Sequence, residues 1–236
     1  MNRLAIAAVG LALMVGVVGL ACGGGQEEPP EVPPQGIRAT IPAEVPQIEE
    51  ARLRQLTLEP ADLPPGFELQ NEAVAEEGGT IHYIAHYMNE QISPEDFVRA
   101  DVPITIDVLV FLFDDEASST AFFTTLQSSS SDALGEYTQV LRRQPEEDLG
   151  VEQKGVQAAH LQIEGLGDDS LAWQVSETVR FPDTDTDTKF VDATVCIRRG
   201  RAVGMVDIGM IDKPPPTADI ETLAAKLDQH LAMALR

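Results

Sequence analysis

Cysteine is nearly missing from this chain. Its 236 residues hold two, Cys22 and Cys196. Cys22 closes an N-terminal apolar stretch, so Cys196 has no partner within a folded domain, and a disulfide-built fold is excluded. Positive charge is also scarce. Sixteen Lys and Arg face 39 Asp and Glu, a net charge of −23, and only four of the basic residues are lysine. That balance argues against nucleic-acid binding and against docking on anionic lipid. It suits a cationic partner, divalent ions or a salty habitat. No internal repeat is present. The glycine-rich "GLGDDS" (165–170) has neither the nucleophile-elbow nor the phosphate-loop pattern and reads as a turn. No spacing of carboxylates suggests glycosidase chemistry.

The first fifty residues carry most of what is legible about function. Asn2 and Arg3 precede 18 residues, Leu4 to Ala21, with no charge and no proline. That is the length of a long signal-peptide core or a short membrane span. Gly19 and Ala21 are small, and Cys22 follows, as at a bacterial lipobox, where the thiol receives a diacylglycerol and becomes the new N-terminus. Leucine, usual three places before the cysteine, is here replaced by Gly19, with Leu20 one place late. Ordinary secretion and an uncleaved anchor are the alternatives. Gly23 to Glu50 then holds six prolines, three consecutive glycines and six glutamates. It has too little to bury to offset its ordering entropy, so a disordered tether is expected, reaching at most roughly 80 Å as polyproline II. The expected organisation is a signal peptide over 1–21, a lipidated Pro/Glu-rich tether over 22–50, and one domain over 51–236.

Within the domain, Pro65-Gly66 suits the centre of a type II turn. "TIHYIAHYM" (80–88) places Ile81, Tyr83, Ala85 and Tyr87 on one strand face, and "PITIDVLVFLF" (103–113) reads as a central strand. "PEDFVRAD" (94–101) suggests a helical turn. Asp114 or Asp115 caps a helix over 115–127, which the serine run 128–131 should interrupt, with a second helix over 132–143. Strands follow at 156–164 and 170–181, the latter half-buried with Glu177 breaking its apolar face. A hairpin turns around Gly200. The closing helix, about 218–235, carries Ile220, Leu223, Ala224, Leu227 and Leu231 at helical spacing. Its stripe should cover the hairpin face bearing Val191, Ala193, Val195 and Ile197, with Leu227 buried and Lys226 in solvent. Strands and helices are grouped, not alternating. The fold class is therefore α+β, an antiparallel sheet of about six or seven strands packed by helices in a sandwich.

Chemistry-bearing motifs are few. In "PDTDTDTK" (182–189), Asp183, Asp185 and Asp187 resemble the start of a calcium loop, but Thr188 and Thr194 stand where glycine and glutamate are needed. They are the sequence's only metal candidates, and an acidic hairpin tip is the plainer reading. His82 and His86 would lie about 13 Å apart on a strand at ~3.3 Å per residue, too far for one ion, and read as exposed. His160 and His230 have no metal-spaced partner. Cys196 reads as a buried inert thiol with no base nearby, and Trp173 as core.

The order of the later pieces is familiar. "LEPADLPPGF", the "GLGDDSLAW" turn, the "VCIRRGRAVGMV" hairpin and the "ETLAAKLDQHL" helix resemble bacterial envelope lipoproteins and kinase ectodomains of the PknH extracellular type, including LpqN-like lipoproteins, related in fold to PsbP and Mog1. The resemblance implies an α/β/α sandwich with a cleft that senses or binds, and it assigns no functional residue. The combined expectation is an envelope-anchored lipoprotein, outside the cytoplasm, presenting a non-enzymatic binding or sensor-like domain. It would touch the membrane through its lipid and bind an unidentified protein or small molecule, without a cofactor and without nucleic acid. A structural or assembly factor of an envelope complex, or an envelope hydrolase, are the alternatives.

Overall fold

A computed structural model describes residues 47–77, 80–93, 101–132, 152–181 and 185–235. The expected signal peptide, Cys22, most of the tether, the turn at 94–100, the second helix at 133–143 and Asp183 lie outside the described residues. The chain runs α1 (Gln47–Leu56), a 3-10 turn (Pro60–Asp62), β1 (Phe67–Glu77), β2 (Thr80–Asn89), β3 (Thr105–Leu112), α2 (Glu116–Asp132), β4 (Glu152–Leu161), β5 (Asp169–Phe181), β6 (Thr186–Arg199), β7 (Ala202–Ile211) and α3 (Thr217–Ala234). The strands make one sheet in the order β1-β2-β3-β7-β6-β5-β4. Every neighbouring pair is antiparallel. Two meanders, β1–β3 and β4–β7, meet at the β3–β7 pair. The α+β class and the strand number match the sequence reading.

One face of the sheet carries Tyr83, Ala85, Tyr87, Ile106, Val108, Val195, Ile197, Val206 and Ile208 against α1 and α3. The other packs Leu109, Phe111, Cys196 and Met205 against Phe123 of α2. β3 is buried on both faces from Ile106 to Leu112, as its unbroken apolar run requires. The helices thus lie on both sides, and the sandwich expectation holds.

Several elements depart from the expectation. Helix α1 crosses the boundary drawn at residue 50, and its Leu53 and Leu56 are fully buried. Glutamates around a short apolar spacing hid it. Helix α2 continues through the serine run as far as Asp132. Its hydroxyls turn back onto their own helix, Thr120 and Thr125 onto the carbonyls four residues before and Ser128 onto that of Thr125. Asp115 supplies the expected cap, accepting from the Ser118 amide at 2.7 Å. Lys226 does not float in solvent. It is half-buried and its ammonium donates to the Asp62 carbonyl. One turn on, His230 Nε2 lies 2.9 Å from the Asp62 carboxylate. Together they pin the 3-10 turn to α3. Leu227 is fully buried as expected.

Helix α3 comes close because β7 has glycine beneath it. A Cβ on Gly204 would stand 3.1 Å from both Leu227 Cδ2 and Leu231 Cδ1. Leu227→Ala should cost about 2–5 kcal/mol in urea unfolding. Adding Gly204→Ala to it should recover part of that loss, although Gly204→Ala alone destabilises. Strict additivity of the two changes would show that the helix does not rest on Gly204.

Candidate functional site

The sheet face beneath α2 is divided. Its apolar half lies under the helix. Its other half carries acids. Strand register lines up one residue from each of six strands: His86 opposite Asp107, Asp107 opposite Asp207, Asp207 opposite Thr194, Thr194 opposite Trp173, and Trp173 opposite His160. In the next row Thr105, Gly209 and Asp192 are neighbours, and Glu177 stands one row further on. Gly209 is required there. A Cβ would meet Thr105 Oγ1 at 2.3 Å and Asp192 Oδ1 at 2.9 Å, so the glycine lets hydroxyl and carboxylate reach over the strand.

The partners define what the row can do. His86 Nδ1 lies 2.6 Å from Asp107 Oδ1, both side chains almost wholly enclosed. Thr194 donates to Asp207. His86 is 5% exposed, and its Nε2, at the far end of the ring, is buried with no hydrogen-bond partner among the described residues. An enclosed imidazole held by a carboxylate at one nitrogen and left unpartnered at the other is a buried polar group that still lacks a partner. Among the described residues, no lysine or arginine is paired with Asp107, Asp192 or Asp207, and no three His, Cys, Asp or Glu side chains converge on one ion position.

Burial shapes the charge of this row. It raises Asp107 and raises Asp192 well above the usual carboxylate range, the latter also through the charges of Asp207, Asp107 and Glu177. Asp207 is pushed up to about 7, by burial first and then by Asp107. Burial alone would lower His86, but the hydrogen bond and charge of Asp107 outweigh it and hold the imidazolium to higher pH. All these groups keep their protons longer in the fold than in the unfolded chain.

The sequence reading takes His86 as exposed; it is buried, because the acids across β3 and β7 stand on its own face. Strand β5 is not half-buried either. Val175, Glu177 and Val179 are enclosed on one face and Ala172 and Ser176 on the other. Trp173 is half-buried at the margin of the α2 cluster. Cys196 is fully buried and its thiol is pushed up by that burial. At the hairpin tip, Asp185 pairs with Arg180 and Asp187 with Lys154. The sequence reading assigns Asp107, Asp192 and Asp207 no role. The available signal is a lone aspartate inside an apolar strand, in "TIDVLV", "FVDATV" and "MVDIGM".

No family model matches the chain, and no curated protein matches it by sequence. Among solved structures it is similar to the extracellular domain of PknH from Mycobacterium tuberculosis, at 10% identity over 78% of this chain and 96% of that one, with a TM-score of 0.45. It is also similar to LpqN, a protein involved in cell envelope biogenesis of Mycobacterium tuberculosis, at 14% identity over 70% and 76%, with a TM-score of 0.24. Likeness of this degree carries no argument about function. No helix among the described residues is long and apolar enough to cross a membrane.

The acid row has a sign that can be measured. A carboxylate raised from 3.8 to about 7 stabilises the fold fully below about 3.8 and loses that contribution as pH rises through about 7. The Asp207→Asn variant keeps the acceptor for Thr194 and removes the charge. It should be more stable than wild type at about pH 8, by about 1–4 kcal/mol, and gain less at about pH 5. Urea unfolding at both values checks this; an equal gain at both would mean that Asp207 does not titrate abnormally.

Proposed function

We propose that the chain is an envelope-anchored lipoprotein whose domain, held outside the cytoplasm by a lipid on Cys22, binds a ligand and does not transform it. The observation that carries the binding reading is the row His86–Asp107–Asp207–Thr194, with His86 Nε2 buried and unpartnered among the described residues. Enclosing several acids is costly, and such an arrangement is kept where it serves a site. The same geometry favours binding over catalysis. A His–Asp pair serves acyl transfer when a nucleophile sits at the free nitrogen, and among the described residues no hydroxyl or thiol is hydrogen-bonded to Nε2. The carboxylates of the row offer acceptors to a ligand's N–H donors.

The anchor reading rests on Leu4–Ala21, the small Gly19 and Ala21, and Cys22. An assembly factor would use the same anchor, and the acid row favours a ligand over a purely structural role. Fatty-acid analogue labelling tests the anchor: wild type should be labelled and sediment with membranes, and Cys22→Ser should do neither. Equal labelling of both would sink the lipoprotein reading. The site is tested by calorimetric titration with ethanolamine above about pH 7, where Asp207 is ionised. Saturable binding weakened in Asp207→Asn supports it, and no binding, or binding unchanged in that variant, rejects it.

A further inference from the structure

On the opposite face of the sheet, at its β4 edge, lies a cleft of about 300 Å³ lined by Lys154, Gly155, Gln157, Ser176, Thr178 and Lys189. Its floor is set by register. Gly155 faces Thr178, which faces Lys189, and Gln157 faces Ser176. Helix α3 packs on β6 and β7, and the cleft opens beyond them. In a regular strand, Lys154 would point away from this face, opposite to Gly155. The register slips between Gln153 and Gly155, which makes Lys154 the extra residue of a β-bulge. Bulges re-aim side chains, and this one brings Lys154 to the same cleft as its neighbour.

The chemistry of the lining contrasts with the rest of the molecule. The chain has four lysines against 39 acids, and two of the four are here. Lys154 is held 2.8 Å from Asp187 at the rim. Lys189 has no carboxylate partner among the described residues. Ser176, Thr178 and Gln157 add hydroxyl and amide donors whose side chains have no hydrogen-bond partner among the described residues. Gly155 leaves space above it, since a Cβ there would meet nothing within 4 Å.

We propose that this cleft is a second binding site, distinct from the acid row, and that it takes the oxyanion of a small solute, a phosphate or carboxylate group. An ammonium supplies the charge, and two hydroxyls and an amide donate to the remaining oxygens. The volume is at the small end for ligand pockets, which limits the occupant to a compact molecule. A lipid headgroup offers the same oxyanion, but the net charge of −23 opposes approach to an anionic bilayer.

The test uses amide proton–nitrogen correlation spectra of the full chain carrying Cys22→Ser, titrated with inorganic phosphate, with sodium chloride at matched ionic strength as control. Saturable shifts are expected at Gly155, Ser176, Thr178 and Lys189. Lys189→Gln should weaken binding by about tenfold or more, the worth of one charge-assisted hydrogen bond. Gly155→Leu should abolish it by filling the space, while Lys213→Gln, whose lysine pairs with Asp101 elsewhere, should leave it unchanged. Thermal melts of each variant show whether it is folded. Absence of saturable shifts, or equal binding in Lys189→Gln, would overturn the proposal. Sedimentation with phosphatidylglycerol vesicles that depends on Lys189, without phosphate binding, would overturn the solute assignment and place a headgroup there instead.

Discussion

The pairing of β3 with β7 holds this domain together. The main core draws residues from both meanders, Tyr83, Ala85 and Val108 from one and Val195, Val206 and Ile208 from the other. Only when Thr105–Leu112 lies against Ala202–Gly209 do the two become one sheet. That contact lets α3 settle on Gly204 beside the strand that α1 covers, and it gives α2 a continuous apolar bed of Leu109, Phe111 and Met205. It also sets Asp107 beside Asp207. The buried acid row is therefore built on this seam, where the rest of the core supports it.

Legibility in the sequence followed how local each signal was. The Tyr83–Tyr87 face, the two-sided burial of β3, the Gly200 hairpin and the α3 stripe are periodic patterns within one element, and all appear in the structure. Leu227 could be placed because its helix repeats cleanly. Lys226 could not, since its partner, the carbonyl of Asp62, lies 164 residues away. Helix α1 was hidden because its two anchors, Leu53 and Leu56, sit among glutamates and arginines, and only α3 and the sheet face beneath show why they are apolar. The acid row is harder still. Asp107, Asp192 and Asp207 are each unremarkable in their strands, and their meeting is a property of register across three strands.

The two polar regions divide the molecule by sign. The acids lie on the α2 face, and Lys154 and Lys189 lie on the reverse, near Arg180 at the β5–β6 tip. The acidic tip residues that resemble a calcium loop are drawn into this second region, Asp185 by Arg180 and Asp187 by Lys154. The sheet keeps the two sets apart without a domain boundary, because successive side chains point to opposite faces.

The irregularity at Lys154 has a counterpart on the far side of the sheet. In β1 the register slips between Leu69 and Asn71, leaving Gln70 as the extra residue. Both outermost strands are thus kinked, and each breaks the even run of free amides and carbonyls that another chain would need in order to add a strand. Open sheets invite such end-to-end growth. Among the described residues the seven strands are open at both ends, an arrangement that would otherwise be a template for fibres. The bulge that turns a lysine into a cleft also blunts an edge against strand addition by a neighbouring copy.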